Sequence, residues 1–293
     1  MRLTARVPAT AANLGPGFDC FGLALDLCND VTIDTDAEPG VTWDGEGANE
    51  LPIDGTDLVS RALSAAVERQ QGSHPGVSIP PVHIEGLNRI PLQAGLGSSS
   101  AAAVAGTALA DALLGDGGWH ADPAITFAYS ADLEGHPDNA APATYGALTV
   151  VADGSVRRLD VSAAIGPVAL IPPIRLSTAR AREVLPEQVP RQDAVFNIAH
   201  GALVVQALVT GDLDLLRAAL RDRLHQTARL ALVPTVRTVF EELDRSTVPV
   251  CVSGAGPSLL AFPPDGRDVP DPGDGWRVVR VPVRSSGVEI TEA

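Results

Sequence analysis

A chain of 293 residues with 45% hydrophobic residues and a net charge of −15 has the composition of a folded protein with a substantial core, long enough for two domains. The acidic balance argues against a nucleic-acid-binding surface, which needs a basic patch. Three cysteines without a CxxC spacing, Cys20, Cys28 and Cys251, predict neither disulfides nor zinc and suit a reducing compartment.

The opening LTARV predicts a strand at Leu3–Val7 and lacks the apolar run of a signal peptide. No apolar stretch reaches the roughly eighteen residues that a membrane span needs. The segment Pro8–Cys20, PATAANLGPGFDC, has its shape restricted by two glycines and two prolines, and it presents Asn13 and Asp19. Asx turns and helix caps use the same residue types. Strand patterns follow at Val31–Asp34 and Val82–Glu85, with a helical pattern at Asp57–Gln70 between them.

The run Pro91–Gly106, PLQAGLGSSSAAAVAG, is the most informative stretch. Its GLGSSS core leads into a helix predicted over Ser98–Leu114. A helix opening this way aims free N–H groups and the positive end of its dipole at one spot, while the serines add hydroxyls. That describes a phosphate cradle. The Walker A loop requires a lysine, and all 21 of this chain's Lys and Arg positions are Arg. A dinucleotide fingerprint requires a third glycine where Ser100 stands, and it should open the first βαβ unit.

A helix is predicted over Pro123–Glu134, running into Glu134–Pro142, EGHPDNAAP. Glu134, His136, Asp138 and Asn139 crowd what reads as a turn. Carboxylates there suit Mg²⁺, and the HxD spacing lacks the further ligands of a transition-metal site. A strand pattern at Gly146–Val151 is followed by a plausible domain boundary near residues 152–166 and by a strand at Val168–Ile171. In Ser177–Pro186, STARAREVLP, Thr178 and Arg182 share a helical face. Helices are predicted over Asp193–Thr210, Leu213–Arg221 and Pro234–Leu243, with Arg229 in the intervening DRLHQTARLALVP. Two arginines converging in so acidic a chain would clamp a carboxylate. Strands at Val248–Val252 and Ser258–Phe262 flank the turn SGAGP, and a surface loop, Pro263–Gly275, precedes a last strand at Arg277–Val281. Strands and helices without regular alternation predict an α+β fold.

Taken in order, these segments resemble the GHMP kinase superfamily and, within it, the homoserine kinase family. The family's PxxxGLGSSxA loop is matched by Pro91–Ala101, its PATxANLGPGFD opening by Pro8–Asp19, its HxDN turn by His136–Asn139, and its SGxGPS turn by Ser253–Ser258. STARAREVLP matches a fifth segment, and the match is collinear over essentially the whole chain. The resemblance implies a domain like ribosomal protein S5 domain 2 over residues 1–155 and a ferredoxin-like domain over residues 156–293. It also implies a cytoplasmic homodimer, with no nucleic-acid or membrane partner, that makes O-phospho-L-homoserine from L-homoserine and ATP with Mg²⁺ in threonine biosynthesis.

By the resemblance, ATP lies on Pro91, Leu92, Gln93, Ala94, Gly95, Leu96, Gly97, Ser98, Ser99, Ser100 and Ala101. Mg²⁺ takes Glu134 and a serine of the pair Ser98/Ser99, with Ser99 favoured and Asp132 the fallback for Glu134. The substrate carboxylate meets Arg182 and Arg229, and its ammonium and hydroxyl meet Asp19 and Asp138, helped by Asn13, His136 and Thr178. Asp138 and Asn13 are the catalytic candidates, Asp138 orienting first and acting as base second. Two departures stand out: Gln93-Ala94 in the loop, and HQTAR at His225–Arg229 where the family pattern is HEPYR-like, which puts the support of Arg229 in question. A GHMP kinase of another small alcohol or amino acid is the alternative. A non-kinase nucleotide-binding protein or dehydrogenase comes third, and retention of Asp19, Glu134, Asp138, Arg182 and Arg229 together argues against a dead site.

Overall fold

The computed structural model describes residues 1–73, 76, 78–115, 121–264 and 267–292. In chain order the elements are β1 (Arg2–Ala12), β2 (Phe21–Asp34), β3 (Gly40–Gly45), α1 (Leu58–Ser73), β4 (His83–Asn88), α2 (Ser98–Leu114), α3 (Pro123–Glu134), α4 (Pro137–Tyr145), β5 (Leu148–Ala152), β6 (Ser155–Leu159), β7 (Val168–Ile171), α5 (Thr178–Glu183), α6 (Arg191–Thr210), α7 (Leu213–Ala219), α8 (Gln226–Leu232), α9 (Pro234–Arg245), β8 (Val250–Val252), β9 (Leu259–Ala261), β10 (Arg277–Arg280) and β11 (Glu289–Glu292). The expected surface loop Pro263–Gly275 carries no helix or strand where it is described; residues 265 and 266 lie outside the described residues.

Seven strands form the first sheet, in the order β11-β1-β2-β4-β3, with β5 and β6 added beside β2. Along β1 the residues Leu3, Ala5 and Val7 point into the core while Arg2, Thr4 and Arg6 face outward, the period of two that a half-buried strand requires. From Pro8 onward every β1 residue is buried. β2 is long enough to pair with β5 through Phe21–Leu23 and with β4 through Asp30–Asp34. The position 155/156 falls at the start of β6, which pairs with β5 in this sheet, and β11 returns from the chain's far end to pair with β1.

The second sheet is four-stranded and antiparallel, in the order β10-β7-β9-β8. Its strands β7, β8 and β9 are buried on both faces. Ala169, Ile171, Cys251 and Leu260 join the main core with β1 and α2, whereas Val168, Leu170, Val250, Val252, Leu259 and Ala261 pack under α8 and α9. Alternation along these short strands therefore ties the second sheet to the first. By length and hydropathy α6 could cross a membrane, a segment that a search for unbroken apolar runs passes over. In the fold its Val204, Ala207 and Leu208 are buried in the main core.

The Ala-rich α2 lies against α1 at very short range. A Cβ on Gly106 would stand 2.3 Å from the Val59 carbonyl oxygen and 2.9 Å from the Ala62 Cβ. Gly106→Ala should therefore lower the Tm measured by calorimetry, although the same change on an exposed helix stabilises by about 1 kcal/mol. A Tm at or above that of the wild type would show that the crossing has slack.

Candidate active site

The glycine loop sits at the start of α2. Gly97 precedes the helix in a left-handed conformation (φ 71°), and no side chain caps the first turn. A Cβ there would lie 1.9 Å from Thr10 Oγ1, so only glycine fits. Thr10 reaches across this contact: its N–H donates to Leu96 O (3.0 Å) and its hydroxyl to Asn139 Oδ1 (2.7 Å). From the second half of the chain, Ser253 Oγ donates to Gly95 O (2.7 Å), Ser258 N to Ala94 O (3.2 Å) and Leu176 N to Gln93 O (3.1 Å). The cradle is thus fixed by its own carbonyls, and the dipole end of α2 faces a cleft.

At the mouth of that cleft Glu134, the last residue of α3, accepts Ser99 Oγ at 2.7 Å and Ser100 Oγ at 2.9 Å. Ser99 is thus the member of the Ser98/Ser99 pair that touches the carboxylate, and Ser100, expected on ATP rather than at Glu134, is a second partner. Asp132 points elsewhere and pairs with Arg69 at 3.0 Å. The oxygen-only group of Glu134, Ser99 and Ser100 suits a hard cation such as Mg²⁺. Among the described residues no three His, Cys, Asp or Glu side chains cluster as a cage.

Across the cleft, Asn13 and Asp19 both take left-handed backbone conformations (φ 71° and 56°) in the loop after β1. Asn13 Nδ2 donates to Gly254 O (2.8 Å) and its Oδ1 accepts Asp19 N–H (2.9 Å). Asp19 is held by Arg182 of α5 in a two-pronged ion pair, 2.9 and 3.0 Å. This pairing raises the Arg182 pKa. Phe18 lies under both arginines, its ring centroid 5.9 Å from the Arg182 guanidinium carbon and 5.4 Å from that of Arg229.

Arg229, on α8, is 4% exposed. Its Nη1 donates to Gly254 O (2.9 Å) and to His225 Nδ1 (3.0 Å), and its Nε points at Ala181 O (3.5 Å). None of these partners is a carboxylate. Burial, and then the nearby Arg182, push its pKa down to about 10. A cation in that position carries a desolvation penalty that its neutral acceptors only partly offset. His225 is fully buried, and its burial lowers its pKa, so the ring is neutral. Asp222 accepts the backbone N–H groups of Leu224, His225 and Gln226, and Gln226 Oε1 accepts Val252 N–H (2.8 Å). HQTAR therefore supports Arg229 through His225 and Gln226 without an acid, proline or aromatic.

Asp138 is 3% exposed in the first turn of α4, where a helix N-terminus favours a carboxylate. Burial nevertheless pushes its pKa up to about 6. Its Oδ1 and the Nδ1 of His136 are both buried without a hydrogen-bond partner, 3.6 Å apart. Unsatisfied polar atoms in such a place call for a ligand. What read as a turn, PDNAAP, is the helix α4, with Pro137 in its first turn. Thr178, the first residue of α5, completes the wall.

One cleft brings together Asn13, Asp19, the loop residues Gln93, Ala94, Gly95, Gly97, Ser98, Ser99 and Ser100, and Glu134, His136, Asp138, Thr178, Arg182 and Arg229. Of the loop residues, Pro91, Leu92, Leu96 and Ala101 line no part of it, and Leu96 is a core side chain. A second, more apolar cavity shares Gln93, Ser98 and Ser99 with the first and adds Trp43, Leu51, Leu58, Leu92, Ala101 and Ala102. Sequence reasoning missed Trp43 and Leu51, which lie far from the loop in the chain and carry no motif.

The GHMP kinases N terminal domain model matches residues 57–147, and the GHMP kinases C terminal model matches residues 204–271. The chain is 42% identical over 270 residues to the homoserine kinase of Clavibacter michiganensis subsp. michiganensis, covering 90% of this chain and 83% of that one. It is 41% identical over 267 residues to the homoserine kinase of Thermus thermophilus, covering 90% and 88%. The crystal structure of homoserine kinase from Cytophaga hutchinsonii superposes with a TM-score of 0.84 at 25% identity, over 99% of this chain and 97% of that one. The two sheets and their helices are the two-domain GHMP kinase fold, the scaffold of an ATP-using phosphotransferase with an alcohol acceptor. The chain belongs to the homoserine kinase family of the GHMP kinases.

Proposed function

We propose that the protein transfers the γ-phosphoryl group of ATP to the side-chain hydroxyl of L-homoserine, giving O-phospho-L-homoserine and ADP in threonine biosynthesis. The observation that carries this reading is the buried Arg229, whose hydrogen-bond partners among the described residues are neutral, facing a cleft that also holds Asp19, Asp138 and the glycine loop. Homoserine is a zwitterion with a hydroxyl, and each of its groups has a complement there. Its carboxylate takes Arg229 and Arg182, where planar guanidinium groups bind two oxygens. Its ammonium takes Asp19, so the substrate divides the Asp19–Arg182 pair and replaces each partner with one of like charge. Its hydroxyl lies at Asp138, with Asn13, His136 and Thr178 around it.

The triphosphate lies on the Gly95–Ala101 amides, and the nucleoside lies in the apolar cavity beside Trp43, Leu51 and Leu92. Glu134 and Ser99 would hold Mg²⁺, which when bound neutralises charge on the phosphoryl oxygens. Phosphoryl transfer depends mainly on positioning and charge neutralisation. Asp138 orients the hydroxyl through the otherwise unpartnered Oδ1. Its raised pKa makes it a better acceptor than an ordinary carboxylate for the proton released as the oxygen–phosphorus bond forms. The reading extends to a cytoplasmic homodimer acting on small molecules only, with no membrane partner; the net charge of −15 supports the absence of a nucleic-acid partner.

A coupled ADP-release assay with homoserine, serine, threonine and mevalonate tests the reading. Homoserine should give by far the highest kcat/KM. ADP release with homoserine no faster than the blank, or mevalonate turned over equally well, would overturn it. The pH profile tests Asp138. Because its pKa is raised, the ionised form that catalysis needs is lost as pH falls through about 6, so kcat/KM should fall there. Asp138→Asn should remove that acid limb and lower kcat by roughly 10²–10⁴. A profile that stays flat through that range in the wild type, or an Asn variant with undiminished kcat, would take Asp138 out of the chemistry.

A further inference from the structure

We infer that His225 is a positioning residue for substrate recognition: as the neutral Nε2–H tautomer it holds the Arg229 guanidinium in its carboxylate-binding pose and ties it to the loop that carries Asn13 and Asp19. The tautomer follows from the acceptors. Nε2 lies 2.8 Å from Gly15 O, and a carbonyl only accepts, so Nε2 carries the proton. Nδ1 is then the lone-pair nitrogen, and it faces Arg229 Nη1 at 3.0 Å. With a proton on both nitrogens the ring could not accept from Arg229, and it would set a second cation against it.

The surroundings enforce this arrangement. His225 stands one residue before α8 and Arg229 one turn later, so they share a helical face. The backbone N–H of His225 is held by Asp222 Oδ2 at 2.8 Å, and the ring lies tilted at 33° against Phe18, centroid to centroid 5.4 Å. Phe18 also underlies Arg182 and Arg229. Gln226, the next residue, donates to Leu220 O (3.1 Å) and accepts from Val252 N (2.8 Å), which fixes α8 beside the strand leading to Gly254. Gly254 O is in turn shared by Arg229 Nη1 and Asn13 Nδ2. His225 thus links the two loops that meet at the substrate through one imidazole. It does not line the cleft itself and acts through Arg229.

Two substitutions separate this role from a merely structural one. His225→Gln places its amide near Nε2 and can keep the bond to Gly15, but it loses the acceptor for Arg229. His225→Asn places its amide oxygen near Nδ1 and can keep that acceptor, but it loses Gly15. A hydrogen bond to a charged group contributes enough that its loss should raise the homoserine KM of the Gln variant roughly ten- to a hundredfold, with the ATP KM changed less than about twofold. The Asn variant should recover most of that loss while showing the lower Tm of the two. Equal homoserine KM values for the Gln variant and the wild type, or homoserine and ATP KM values rising together in both variants, would overturn the inference. The inference depends on the homoserine reading only for the substrate named in these kinetics. ¹⁵N-edited NMR of the wild-type histidines is independent of that reading: the resonance lost in His225→Gln should show the Nε2–H pattern, and an Nδ1–H or doubly protonated pattern would refute the assignment even if homoserine is turned over. If wild-type turnover of homoserine fails while the Nε2–H pattern is found, the substrate reading falls and the positioning of Arg229 stands.

Discussion

A buried guanidinium whose hydrogen-bond partners among the described residues are all neutral is the constraint on which the rest of the site depends. Removing a cation from water carries a penalty of several kcal/mol, and proteins normally offset it with an ion pair. Here Arg229 is met by two backbone carbonyls and one imidazole nitrogen, all neutral. The neighbouring Asp19 is committed to Arg182, and Asp138 is itself raised in pKa by burial. Arg229 therefore hydrogen-bonds only neutral groups among the described residues, while Asp19, Asp138 and Asp222 act on it at longer range. A ligand that brings a carboxylate there, and an ammonium for Asp19, leaves each charged group with an opposite one.

Holding this arrangement requires both halves of the chain. The SGAGP turn of the second half supplies Gly254 O to Asn13 and Arg229, and Ser253 Oγ to the glycine loop. The first half supplies the loop, Thr10 under Gly97, and the α4 N-terminus with Asp138. Because one hydrophobic core joins the two sheets, the glycine loop and the Arg182–Arg229 wall of the cleft stand on a common support. That is what phosphoryl transfer needs, since misplacement by an ångström costs orders of magnitude in rate.

Much of this was legible in the sequence. The bounds of α2 and α3 follow from their periodicity and from the residues that start them, and the convergence of Asn13, Asp19, Glu134, Asp138, Arg182 and Arg229 follows from ordered motifs. The rest depended on contacts between distant segments. β6 and β11 are polar, exposed strands without a period of two, and they are strands only because sheet edges accept their backbones. β2 reads as a strand only over Val31–Asp34, because Asp26 and Asn29 break the alternation in a segment that β1, β4 and β5 pair with in turn. α4 was hidden by its two prolines. The first of them stands where a helix needs no N–H. The support of Arg229 was invisible for the same reason: Gly15 and Gly254 contribute carbonyl oxygens, which no side-chain motif records.

The central claim is that the unmatched charge of Arg229 is reserved for the substrate carboxylate. Titration calorimetry of homoserine and its primary amide, against the wild type and Arg229→Met, isolates that contact as a thermodynamic cycle. Replacing the carboxylate by an amide should weaken binding to the wild type by about 2 kcal/mol or more, roughly thirtyfold, and by far less in the Met variant. An equal penalty in both proteins would show that Arg229 does not meet the carboxylate and would contradict the account.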